Sequence, residues 1–240
     1  MSESLDRPID VPQLTAEEIL ARVLHRDGLM LVIDKPAGLP VHRGPKGGPN
    51  LEASFDALRF GLPRPPALAH RLDKDTSGCL VLGRHRKATA SLGLLFKHGK
   101  ISKTYWAVVE GGPAGDEGAI DMPLGRLNAE RGWWQKVDPE GQQAVTNWKV
   151  MGRGEGLTWL ALEPVTGRTH QLRVHSSAQG WPIFGDNIYG NGPRFGEPRL
   201  HLHSREIGIP ISKNKEPVRV VAPAPEHMRE RLRACGWNGE

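Results

Sequence analysis

The chain has 240 residues, of which 38% are hydrophobic and 25% charged, with a formal net charge of +5. No apolar run approaches the roughly eighteen residues of a membrane-spanning helix, and the opening "MSESLDRPIDVPQL" lacks the basic-then-apolar pattern of a secretory leader. Cys79 and Cys235 form no CxxC pair, which argues against a disulfide framework or a structural zinc and fits a reducing, cytoplasmic setting.

In chain order, residues 1–14 read as a flexible N-terminal tail and 15–240 as a single domain. "TAEEILARVL" reads as a short helix in which Thr15 and Glu18 form a capping box. "LMLVIDKP" follows as a buried strand ended by Pro36, then a Gly/Pro-rich loop, "AGLPVHRGPKGGPN". Leu51, Phe55 and Leu58 fall at helical spacing and predict a helix over 51–60. "CLVLGR" reads as a strand, "KATASLGLLFKHG" as a helix with Gly99 near its end, and "SKTYWAVVEG" as a strand rich in aromatic and β-branched residues. Residues 111–143 are Gly-rich and predict one or two irregular hairpins. "AVTNWKVMG" and "LTWLALEP" alternate as an antiparallel pair across "RGEG". "TGRTHQLRVHSSAQG" turns helical before Gly180, "LHLHSREIGI" and "VRVVAP" are late strands, and "PEHMRERLRACG" is a closing helix behind Pro225. This mixed order, without a steady βαβ alternation, predicts an α+β domain rather than a doubly wound parallel sheet.

The chemistry concentrates in two stretches. "HRLDKDTSG", from His70 to Gly78, sets Asp73 and Asp75 between two apolar flanks. Paired carboxylates suit acid–base or glycosidic chemistry, in which one attacks a sugar carbon. A polar turn whose Asp, Ser and Thr side chains bond their own backbone has the same composition. "GRTHQLRVH" places Arg168, His170, Arg173 and His175 within eight residues, with His170 and Arg173 on one helix face. An arginine beside an aspartate in a cleft favours the ionised carboxylate. A solvated helix face is the other reading of such a charge run.

"HRLDKDTSG", "SKTYWAVVEG", "VTGRTHQLRVH" and "GWPIFGDNIYG" occur in the order and approximate spacing of RNA pseudouridine synthases of the RluA type. "LVIDKPAGLPVH" and "RLHLHS" resemble two further segments, so the resemblance runs from about residue 26 to 224. It implies a pseudouridine synthase fold, a mostly antiparallel mixed sheet with flanking helices and a catalytic cleft, using neither metal nor organic cofactor. It implies that Asp73 is the catalytic aspartate, Tyr105 the tyrosine against the target base, and Arg173 the basic residue paired with that aspartate. Arg71, with His70 before it, would approach the RNA where the base has left; Leu172 and Leu202 would wall the pocket, and Arg168 would join the RNA-binding set.

The chemistry agrees with that implication. Uridine becomes pseudouridine when N1–C1′ breaks, the uracil turns and C5 bonds C1′, an isomerisation that needs no outside group. Asp73 can attack C1′, add to the base or remove the 2′ proton, and the residues do not choose among these. Extruding the target costs a few kcal/mol, and stacking on a ring such as Tyr105 recovers about 1–3 kcal/mol per base. Asp75, Thr76 and Ser77 read as loop-fixing residues. The expected partner is structured RNA, ribosomal or transfer, bound by a monomer with no membrane contact. Some 25 residues precede the resemblance, too few for the S4-type RNA-binding domain of many relatives, so compact stem-loops are the expected targets. Two other readings are a catalytically silent RNA-binding or ribosome-assembly protein and a nucleoside or carbohydrate hydrolase using Asp73 and Asp75.

Three weaker signals remain. His201 and His203 form an HxH pair without further ligands at metal spacing. Trp133 and Trp134 sit in a basic segment where they can stack on bases or fill a hairpin core. "GPKGGPN" lacks the GK[ST] ending of a phosphate loop.

Overall fold

The structure, a computed structural model, describes residues 11–44, 47–128, 133–212 and 214–239. The elements begin with α1 (Ala16–Leu20), β1 (Val23–Arg26), β2 (Met30–Lys35), a 3-10 helix (Glu52–Leu58), β3 (Ala67–Leu68), β4 (Ser77–Gly83) and α2 (Arg86–Lys97). They continue with β5 (Ser102–Glu110), β6 (Glu117–Asp121), β7 (Leu124–Arg126), β8 (Gln135–Val137), β9 (Val145–Gly154) and β10 (Leu157–Pro164). The last are α3 (Gln171–Ala178), β11 (Leu202–Ile209), β12 (Val218–Val221) and α4 (Glu226–Ala234). This is the mixed α+β architecture that the element order predicts, with the mostly antiparallel sheet that the resemblance implies.

The described residues form two compact units. The first takes residues 11–102 and 204–223, and its strands run β1-β2-β4-β11, with β3 on β4 and β12 on β11. Its core joins Met30 and Val32 of β2, Cys79 and Val81 of β4, Leu92 of α2 and Ile207 of β11. The capping box forms as expected: the Glu18 N–H donates to Thr15 Oγ1 (3.2 Å) and the Thr15 N–H to the Glu18 carboxylate (2.8 Å). The helix nevertheless stops at Leu20, because "VLHR" leaves it to pair with β2 as β1. The end of the expected tail is held, since Gln13 bonds the Asn50 backbone in both directions and Ser54 Oγ.

The second unit takes residues 103–203 and 224–239, with strand order β5-β10-β9-β6 and a separate β7–β8 hairpin. β5 is buried on both faces: Tyr105, Ala107 and Val109 enter one cluster, Trp106 and Val108 the other. β9 and β10 join through Glu155 and Gly156, both at positive φ (54° and 73°), the backbone a two-residue hairpin requires. Of the irregular hairpins expected over 111–143, β7–β8 forms, whereas β6 pairs instead with β9 along the sheet edge. Gly152 and Gly154 let α4 close on β9: a Cβ at either would overlap the carbonyl of Cys235 or Ala234.

Candidate active site

The Asp73 loop belongs to the first unit and is held from beneath. β2 and β4 pair with Lys35 opposite Gly78, so the strand end carrying Lys35 lies against the exit of the loop. Lys35 is fully buried, and Nζ donates to the carbonyls of Pro36 (2.9 Å), Lys74 (2.8 Å) and Thr76 (2.8 Å). Three acceptors use all three N–H groups of an ammonium. Burial pushes the Lys35 pKa down to about 7, while the charges of Asp75, Asp73 and Asp34 pull the other way. The Gly38 N–H adds a bond to the Lys74 carbonyl (2.9 Å), and the Thr76 N–H donates to the Asp73 carbonyl (3.2 Å). All these acceptors are backbone carbonyls, so these bonds fix the path of the loop main chain.

Around this loop Thr76 and Ser77 are buried, Asp73 and Asp75 half-buried, and Arg71 exposed. His70 is anchored: its Nε2 accepts the Val81 N–H (3.0 Å) and its ring stacks on Phe96 at 4.0 Å. Those bonds tie the entry of the loop to β4 and α2.

The second unit holds Tyr105, Arg168, Leu172, Arg173 and Leu202. α3 starts sharply because His170 takes a left-handed conformation (φ 53°) as its N-cap. The Gln171 side chain locks this start, accepting from the Arg168 N–H (3.0 Å) and the Thr166 hydroxyl (2.7 Å) and donating to the Val145 carbonyl (2.9 Å). Arg168 is exposed, with Nε on the Gln143 carbonyl (3.0 Å). Tyr105, half-buried on β5, packs with Leu172 and Leu202, so three residues expected around the target base share one apolar cluster.

Arg173 is 3% exposed and forks onto Asp186, through Nε to Oδ2 and Nη2 to Oδ1, both 2.7 Å. Asp186 Oδ1 also accepts the N–H groups of Ile188 (2.9 Å) and Tyr189 (3.0 Å). Burial alone would raise the Asp186 pKa, but the Arg173 hydrogen bonds and charge, with the two N–H groups, outweigh it and hold the carboxyl below its usual value. The Tyr189 ring lies 5.3 Å from the Arg173 guanidinium, and its hydroxyl bonds His170 Nδ1 (2.7 Å) and the Gln135 N–H (2.9 Å). Arg173 is therefore set by Asp186 and Tyr189, neither singled out in the sequence reading, as Lys35 was not. The signals were present as a carboxylate in "GDNIYG" and a lysine ending an apolar run.

His201 is buried with Nδ1 on the Arg199 carbonyl (2.7 Å), and burial pushes its pKa down to about 4. Its ring meets Phe184 and His227 edge-on. Trp133 is 59% exposed and touches His170 edge-on, while the neighbouring residues 129–132 lie outside the described ones.

The family model described as RNA pseudouridylate synthase matches residues 29–178. A Zymomonas mobilis protein named as an uncharacterized RNA pseudouridine synthase is 43% identical over 207 residues, 85% of this chain and 94% of that protein. The Vibrio parahaemolyticus protein named ribosomal large subunit pseudouridine synthase C is 33% identical over 90% of this chain and 69% of its own. The solved structure titled human RNA pseudouridylate synthase domain containing 4 superposes with a TM-score of 0.75 at 28% identity, covering 91% of this chain and 95% of that one. The chain belongs to the RNA pseudouridylate synthase family, isomerases that convert uridine to pseudouridine in RNA.

Proposed function

We propose that this enzyme modifies uridines in compact stem-loops of large-subunit ribosomal RNA or transfer RNA, with Asp73 as the catalytic carboxylate. The observation that carries this reading is the Asp73 loop, whose backbone a fully buried lysine pins on either side of Asp75, at the carbonyls of Lys74 and Thr76. In this reading Tyr105 stacks on the target uracil, Leu172 and Leu202 wall its pocket, and Arg173 pairs with Asp73. Arg71, Arg168 and His70 serve the RNA, His70 by fixing the loop that carries Arg71. The protein acts as a monomeric single domain in the cytoplasm. The resemblance to a ribosomal large subunit enzyme supports the ribosomal target. Among the described residues no helix is long and apolar enough to cross a membrane.

Tritium release from RNA labelled at uracil C5 tests the reading, with unmodified large-subunit ribosomal RNA and transfer RNA assayed separately. Release from one of them names the substrate class. Free uracil as the product would turn the reading into hydrolysis. Binding without release from either would turn it into a silent RNA-binding protein.

Two further results are expected. Lys35→Met removes the clamp while keeping an apolar stem of similar length. It lowers kcat by about 100-fold, the scale of a displacement near 1 Å at a reacting group, and leaves KM within about twofold. Single-turnover kinetics read that split, and an unchanged kcat would sink the positioning role. Raising salt from 50 to 200 mM weakens RNA binding roughly 50-fold if about four phosphates are contacted with a single-strand slope. Filter binding at four salt concentrations measures it, and a flat response would contradict phosphate contacts.

A further inference from the structure

The first unit contains a cavity of about 530 Å³ at the end of β4 remote from the Asp73 loop. The seven residues of β4, at about 3.3 Å each, separate Ser77 at the loop from Gly83 at the cavity by roughly 20 Å. The volume lies in the range of small-ligand sites. Leu62, Pro63, Pro65 and Ala67 supply an apolar wall, and Arg64, Arg84, His85 and Arg86 the polar one. Among the described residues no carboxylate lines it.

The local sequence builds this shape. "GLPRPP" cannot continue a helix or a sheet interior, so it stands as a stiff wall beside β3. Gly83 lets the first turn of α2 approach β4, since a Cβ there would overlap Thr89. Arg84 is fixed by bonds from Nη1 to the Asp27 carbonyl (2.7 Å) and from Nη2 to the Phe60 carbonyl (3.2 Å). Arg64 and Arg86 are exposed. Among the described residues none of these three arginines has a carboxylate partner within salt-bridge distance.

We infer that this cavity is a second RNA-binding site, which takes one unstacked nucleotide of the substrate RNA away from the target uridine. The base enters the apolar slot and stacks on an arginine plane or proline face, and its phosphates meet Arg64 and Arg86. A cationic rim without any acid complements a polyanion, and unstacked bases of single-stranded loops are bound in apolar, arginine-flanked slots. The inference rests on the RNA-modifying reading above. It gives the protein a second grip on RNA outside the reacting centre.

The test measures affinity and its salt dependence for an unmodified large-subunit ribosomal RNA fragment and for transfer RNA. Arg64→Gln with Arg86→Gln removes two phosphate contacts. The expected result is about a 10-fold weaker Kd at 150 mM salt, with the slope of log K against log salt smaller by about 1.4. Ala67→Trp fills the slot from an exposed position without changing charge. It is expected to weaken binding about 10-fold at the wild-type slope, the value of one lost stacking contact. Wild-type affinity and slope in both variants would overturn the site, and a peptide or other protein ligand in the slot would give that same result. A wild type that binds neither RNA would overturn the functional reading along with it.

Discussion

Asp73→Asn is expected to abolish tritium release while leaving a folded protein that binds RNA with wild-type affinity. The substitution keeps side-chain size and one acceptor oxygen, removes the charge and turns the other oxygen into an N–H donor. The loop keeps its backbone supports in this variant, because Lys35 bonds the carbonyls of Pro36, Lys74 and Thr76, and Gly38 bonds that of Lys74. All three available paths, attack at C1′, addition to the base and removal of the 2′ proton, need an ionised oxygen that an amide lacks. A loss of at least about 10³-fold follows, within the range for removing a positioned acid or base. Single-turnover tritium release and filter binding, run side by side, check it. A variant retaining a tenth of the wild-type rate would move the chemistry away from Asp73.

Asp186→Asn is expected to destabilise the protein by about 3–5 kcal/mol, the cost of breaking a buried ion pair. Arg173 and Asp186 are 3% and 0% exposed, and the carboxylate takes two guanidinium nitrogens and two backbone N–H groups. An amide cannot accept at both ends of that fork, so the guanidinium loses the Asp186 charge and one of its two bonds to that residue at a site with little water. For a chain of this length the melting temperature falls by roughly 6–20 °C, read by calorimetry. A shift under 2 °C would show that the pair contributes little. The same pair sets a pH dependence. The folded Asp186 carboxyl lies below its ordinary value, so its stabilisation is present above the unfolded pKa of about 4 and is lost as pH falls through the lower folded one. Wild-type stability should therefore drop in acid below about pH 4 more steeply than that of Asp186→Asn.

How much was legible in the sequence depends on the range of the interaction. The Thr15–Glu18 box, the β9–β10 hairpin and the stop of α3 at Gly180 are decided within a few residues, and each stands where the pattern placed it. The long motifs were equally legible, because Asp73, Tyr105 and Arg173 are marked by their neighbours in the chain. Features settled by distant partners were not. "VLHR" continues the helical pattern of α1, yet it becomes β1 because β2 offers a free edge for hydrogen bonding. β6 leaves the expected hairpins because β9 exposes a long edge of its own.

The candidate site divides along the same line. Which chemical groups the protein has is readable along the chain: two carboxylates, Asp73 and Asp75, in a polar loop between apolar flanks, a tyrosine on a buried strand, and an arginine on a short polar helix. What holds them comes from the packed fold. Lys35 reaches the carbonyls of Lys74 and Thr76 across 39 and 41 residues of chain, and Arg173 reaches Asp186 across 13. Buried charges need partners wherever the fold supplies them, and burial is a property of the packed chain that no local pattern of residues encodes.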